Sequence, residues 1–104
     1  MKGIKIKITR FVSNDQPGFV ECAFKDAWDK EFKIEEKIPV VTSDYLDEDS
    51  KYPHEGVIAC EVIKTWTDKT GRQLVTIDID KPWAIETVDG LKQFDILQKD
   101  LIEI

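Results

Sequence analysis

Ile4-Lys5-Ile6-Lys7-Ile8 opens the chain with strict alternation of apolar and charged positions. Successive side chains of a strand point to opposite faces, so this spacing predicts a strand over residues 3–12 with one face buried and one charged. The period recurs over residues 19–25, where Val20, Cys22 and Phe24 share the apolar side. A third strand is predicted from residue 32, with Phe32, Ile34 and Ile38 on one parity and Glu31, Lys33, Glu35 and Lys37 on the other. Glu36 interrupts the apolar side, which points to a bulge or a bend. Val40-Val41-Thr42 reads as a continuation at a sheet edge, because Pro39 limits the ladder.

The second half repeats the pattern. Residues 57–66 alternate, with Ile58, Cys60, Val62 and Trp66 on one face. Residues 73–80 return with Val75, Ile77 and Ile79 pointing one way and Asp78 and Asp80 the other. Between them, residues 67–72 supply a turn in which Gly71 can take a positive φ. A further hairpin is predicted across Asp89-Gly90 as a type I′ turn joining residues 83–88 to 91–97. Residues 97–100 then read as a short helical turn and 101–104 as a last strand. Asn, Asp, Pro and Gly mark residues 13–18 as a loop, and residues 26–30 form the next connection. The one long irregular segment is 43–55, anchored by Tyr45, Leu46 and Tyr52, where Ser43 or Asp44 can cap a single helical turn at most.

These elements predict an all-β fold. The expectation is one antiparallel domain over residues 1–104, with five to seven strands closing partly into a small barrel of SH3-like or OB-like type. A short 3-10 turn precedes its last strand. The order hairpin, 3-10 turn, closing strand resembles the end of SH3-like barrels over about the last twenty residues. The aromatic and acidic motifs of peptide-binding SH3 domains are not matched, so the resemblance implies a layout and no ligand.

Charge adds a constraint on topology. Residues 1–12 carry Lys2, Lys5, Lys7 and Arg10 and no acid, while residues 84–104 are acid-rich. Pairing the first strand with the last would set opposite charges across the ladder, contributing about 0.2–1 kcal/mol per pair. It would also cover an edge that otherwise invites aggregation. The net charge of −6 at pH 7 repels phosphate backbones, so a nucleic-acid partner is not expected.

Length and composition, 104 residues at 41% hydrophobic, suffice for one core without staples. Cys22 and Cys60 sit on apolar faces and make no Cys-x-x-Cys, which predicts buried, reduced thiols. No run approaches the ~20 apolar residues of a membrane span, so no membrane partner and a cytoplasmic location are expected.

Candidate chemistry is sparse. His54, the sole histidine, lies between Pro53 and Glu55 and reads as a loop residue, not a base. No Gly-x-Ser-x-Gly surrounds a serine, so no catalytic residue is assigned. Asp44, Asp47, Glu48 and Asp49 lack the ligand alternation and central glycine of a calcium loop, and no metal is expected. The five glycines are scattered and form no phosphate cradle, so no cofactor is expected either.

What remains is an acidic surface with aromatics. The expected function is a non-enzymatic interaction domain binding a basic protein or peptide through Trp28, Asp44, Tyr45, Asp47, Asp49 and Trp83. A concrete form is an immunity-type inhibitor of a basic toxin. The alternative is a small-ligand-binding protein or minor carboxylate-dependent hydrolase using Asp78, Asp80 and His54. A third option is an appendage domain whose edge strand pairs with a second copy.

Overall fold

The alternating segments become eight strands in two antiparallel sheets in the computed structural model, which describes residues 1–104. They are β1 (Lys2–Ser13), β2 (Phe19–Lys25), β3 (Glu31–Lys37), β4 (His54–Ala59), β5 (Glu61–Thr67), β6 (Gln73–Asp78), β7 (Gln93–Leu97) and β8 (Leu101–Glu103). One helical turn, α1 (Ile38–Val41), follows β3, and a 3-10 turn at Gln98–Asp100 precedes β8.

β1 organises the larger sheet, whose order is β3-β2-β1-β4 with β8 also paired to β1. One edge of β1 pairs with β4 from Gly3 to Ile8. The opposite edge is shared, with β8 along Lys2 to Ile4 and β2 from Lys7 to Ser13. The charge complementarity of the chain ends is realised here. Lys2 lies opposite Glu103, their side chains 2.5 Å apart, and the terminal ammonium adds a 3.2 Å contact. The Lys2 hydrogen bond foremost, then that of the terminal ammonium, holds the Glu103 carboxyl below its ordinary range. The second sheet has the order β5-β6-β7.

Apolar parities of both sheets meet in a cluster of 19 buried residues. Ile4, Ile6 and Ile8 come from β1, Val75, Ile77 and Ile79 from β6 and the residues after it. Three rings join the sheets: Phe94 of β7 meets Phe24 edge-on at 5.1 Å and Phe32 at 4.6 Å. Such contacts add about 0.5–1.5 kcal/mol each beyond the area they bury. Gly56, opposite Ile6, allows α1 to approach the sheet, since a Cβ there would stand 2.9 Å from the Val41 carbonyl oxygen.

Several expectations are corrected. The sheets remain open and do not close into a barrel, because β5 pairs only with β6 and β3 only with β2. Residues 38–41 coil into α1 instead of continuing an edge strand. Pro39 fits the first helical turn, where its missing N–H is no loss. Glu36 marks no bulge, for β2 and β3 pair without interruption from Phe19–Lys37 to Lys25–Glu31. Register shifts fall in β1 instead, after Ile8 and after Phe11.

The single strand expected over residues 57–66 is divided at Cys60 into β4 of the larger sheet and β5 of the smaller one. A register shift between Val62 and Lys64 turns Trp66 away from the Val62 side. Residues 83–88 form no strand, so the expected 3-10 turn and last strand are present but the expected hairpin of residues 83–97 is not. Asp89-Gly90 does turn the chain, though not as type I′. Thr87 N–H donates to Leu91 O, Gly90 N–H donates to Thr87 O, and Gly90 alone holds φ 81°.

Both cysteines are buried free thiols. Burial, aided by Glu36 and Glu21, pushes the Cys22 thiol from 9.0 up to about 12. Burial pushes Cys60 up to about 11. Each thiol is therefore neutral and shielded in the folded chain. The unfolded chain ionises first, so this contribution to stability is full below the ordinary thiol range. It is lost as pH rises from 9.0 towards about 11 and then about 12. A thiol reagent at pH 8 should label both residues only after urea unfolding; prompt labelling of the native chain would contradict this burial.

Candidate functional site

Two hairpin turns of one design build the most distinctive surface. In the first, Asp26 N–H donates to Lys30 O at 3.0 Å and Asp29 N–H to Asp26 O at 3.1 Å. One Asp26 carboxylate oxygen accepts the Trp28 and Lys30 N–H groups, both at 2.9 Å. Asp29 holds φ 61°, a left-handed conformation that short polar side chains tolerate. The second turn repeats each feature. Asp68 N–H donates to Arg72 O, Gly71 N–H to Asp68 O, and the Asp68 carboxylate accepts the Thr70 and Arg72 amides at 2.9 Å. Gly71 takes the positive φ, 87°. Such loops combine a type I turn with a left-handed residue.

These turns lie far apart in sequence and meet in space. Arg72 extends from the second turn, donating through Nε to Asp68 at 2.8 Å and through Nη1 to the Ala27 carbonyl at 3.0 Å. Its guanidinium then lies 4.9 Å from the centre of the Trp28 ring. A planar cation over an indole is favourable by about 0.5–1 kcal/mol at an exposed site. Bonds from the Arg72 amide, then from Thr70 and the guanidinium, hold the Asp68 carboxyl well below its usual range. Trp28 itself remains 52% exposed. It is a ring fixed in orientation and still available.

The outer face of β5-β6-β7 continues this surface. Register places Trp66 beside Leu74 and Leu97, Lys64 beside Thr76 and Asp95, and Glu61 beside Asp78 and Gln93. Trp66 Nε1–H donates to Thr76 Oγ1 at 3.1 Å, and the Thr76 hydroxyl donates to Asp95 at 2.5 Å. The Asp95 carbonyl accepts Ala27 N–H at 2.8 Å. A continuous chain of contacts therefore runs from Trp66 through Thr76, Asp95, Ala27 and Arg72 to Trp28. β5 has an unpaired outer edge, and its Ile63 is 46% exposed beside the register shift. The shift and the adjacent Lys64 are features that discourage edge-to-edge pairing.

Of the residues expected to bind, only Trp28 belongs to this surface. It sits at the Lys25–Glu31 end of the β2–β3 ladder. The acidic segment departs from α1 at the other end, about 20 Å along seven residues of strand. Asp44 there contacts His54 at 2.9 Å, and Tyr45 is 85% exposed. Asp47 is turned into the loop, where it accepts Asp49 N–H and the Ser50 hydroxyl while its carbonyl accepts Tyr52 O–H. Asp49 is exposed, and Trp83 packs partly buried against the core.

The residues of the hydrolase alternative are dispersed too. Asp78 accepts Asp80 N–H and approaches Gln93, and Asp80 approaches Lys92 at 3.7 Å. His54 belongs to the other sheet. No group of three or more His, Cys, Asp or Glu side chains is placed to hold a metal ion. No helix is long and apolar enough to cross a membrane.

The arrangement defines an open β domain with two linked tryptophans on one sheet face, where Arg72 lies over Trp28 and Lys64 lies 5.7 Å from the Trp66 ring. No family model, curated protein or solved structure matches the chain.

Proposed function

We propose that the chain is a non-enzymatic protein-binding domain that receives a basic protein or peptide on the outer face of β5-β6-β7. Trp28 and Trp66 serve as anchors, and Asp29, Glu61, Asp78 and Asp95 supply the acidic surround. The observation that carries this reading is the contact chain linking the two tryptophans, which pre-orients both rings. Fixed aromatics lose little entropy on binding, and centres of this kind supply most of the energy in protein interfaces. The net charge of −6 would steer a basic partner toward the domain. An immunity-type inhibitor of a basic toxin is one form this function takes. Buried, unpaired thiols suit work in the cytoplasm.

The test is affinity capture from the native host at low salt, followed by comparison of variants. A basic partner should be retained, and Trp28→Ala should weaken it about 30-fold, the loss of one central anchor worth about 2 kcal/mol. The exposure of Trp28 means that this variant should melt close to the parent chain. High salt should weaken the complex by screening its charges. Recovery of an acidic partner, of none, or of one indifferent to Trp28→Ala would count against the reading.

A further inference from the structure

The place where β2 and β8 separate along β1 forms a second, differently charged site. β8 pairs with β1 only as far as Ile4, and β2 joins it only from Lys7. Lys5 lies between these two ladders and has a paired residue, Val57, on the β4 side alone. Cys60 N–H donates to Lys2 O, whereas Ile104 N–H donates to Met1 O. Even-numbered residues of this end of β1 therefore direct their backbone groups toward β4 and odd-numbered ones toward the gap. The Lys5 amide faces β8 and, through the Ile4–Leu101 pairing, meets the Asp100 carbonyl at the margin of the gap.

The opening has a cavity volume of about 970 Å³, at the upper end of the about 300–1,000 Å³ typical of small-molecule sites. Its floor is apolar: Ile4, Ile6, Phe24 and Ile96 contribute, each no more than 7% exposed. Its walls carry Lys5, Lys7, Lys25 and Lys99. Lys5 has one 3.8 Å contact with Glu55, and the other three lysines make no ion pair within 4.0 Å. Glu31, Glu55 and Asp100 stand at the margin and limit the charge to a modest positive excess.

We propose that this gap binds a small amphipathic anion, an apolar body carrying one carboxylate, sulfonate or phosphate group. The body would cover the isoleucine and phenylalanine floor, and the anionic group would meet the ammonium groups of Lys5, Lys7 and Lys25. Charge-assisted bonds of this kind are stronger than neutral ones. A nucleic-acid strand fits less well, since the whole chain is acidic and Glu31, Glu55 and Asp100 stand at the margin. The site is separate from the tryptophan surface, so the two stand or fall independently.

Titration of the intact protein with anilinonaphthalene sulfonate tests this directly. Saturable fluorescence at one site per chain is expected, with displacement by decanoate and none by the same concentration of inorganic phosphate. The double variant Lys7→Gln/Lys25→Gln should weaken binding about tenfold or more, while Lys64→Gln on the other sheet leaves it unchanged. Amide NMR of the parent chain should place the shifts at Lys5, Lys7, Lys25 and Lys99, a readout that does not depend on the variants folding. No saturable binding, equal displacement by phosphate, an unaffected double variant, or shifts centred on Trp28 and Trp66 would overturn the proposal.

Discussion

Phe94→Ala should destabilise the fold by about 3–5 kcal/mol, the usual cost of deleting a buried aromatic ring. Phe94 is the contribution of β7 to a three-ring contact whose other members, Phe24 and Phe32, belong to the larger sheet. Its removal leaves a void between the sheets and loses two ring contacts together. In a chain of this size that corresponds to a fall in melting temperature of about 12 °C or more. Phe94→Leu retains apolar volume and should cost less. Urea unfolding checks both, and an alanine variant within about 1 kcal/mol of the parent would show that the rings do not join the sheets.

Gly56→Val should be the next most damaging, by about 1–3 kcal/mol or more. A Cβ at this position meets the Val41 carbonyl oxygen at 2.9 Å and two Ile8 side-chain atoms at 3.1 and 3.2 Å. The carbonyl is backbone of α1 and cannot rotate away, so either α1 lifts from β4 or β4 shifts against β1. Gly71→Ala provides the contrast. Nothing lies within 4 Å of its added Cβ, and its cost arises from φ 87° alone, about 1 kcal/mol. Thermal unfolding of the two variants should rank Gly56→Val as the less stable. The reverse order would mean that α1 does not rest on the sheet as described.

The period-two strands were legible because burial of one face imposes alternation directly on sequence. β1, β2, β3 and β6 follow from it, while the pairing of the first strand with the last follows from the opposite charges of the two chain ends. The pattern misleads where local geometry changes parity. One extra residue at Ile63 sends Trp66 to the other face, and nothing in the composition of residues 61–67 announces that shift. α1 is only four residues long, too short for helical periodicity to appear, and Pro39 is as compatible with an edge strand as with a first helical turn.

The surface is harder to read than the strands. The two Asp-initiated turns are visible as Asp26…Asp29-Lys30 and Asp68…Gly71-Arg72, once their common construction is known. Their meeting is not visible, since the bond from Arg72 to Ala27 spans 45 residues and depends on how the sheets stack. For the same reason, grouping Trp28 with Tyr45 and Asp47 on shared chemistry joined residues that the β2–β3 ladder holds apart.

Cross-saturation NMR from the captured partner, read on the labelled chain, tests the central functional claim most directly. Attenuation should concentrate at Trp28, Trp66 and the amides of β5, β6 and β7, leaving residues 44–49 and the lysine-lined gap unaffected. A footprint centred on Tyr45 and the acidic segment, or on the outer face of the larger sheet, would contradict it.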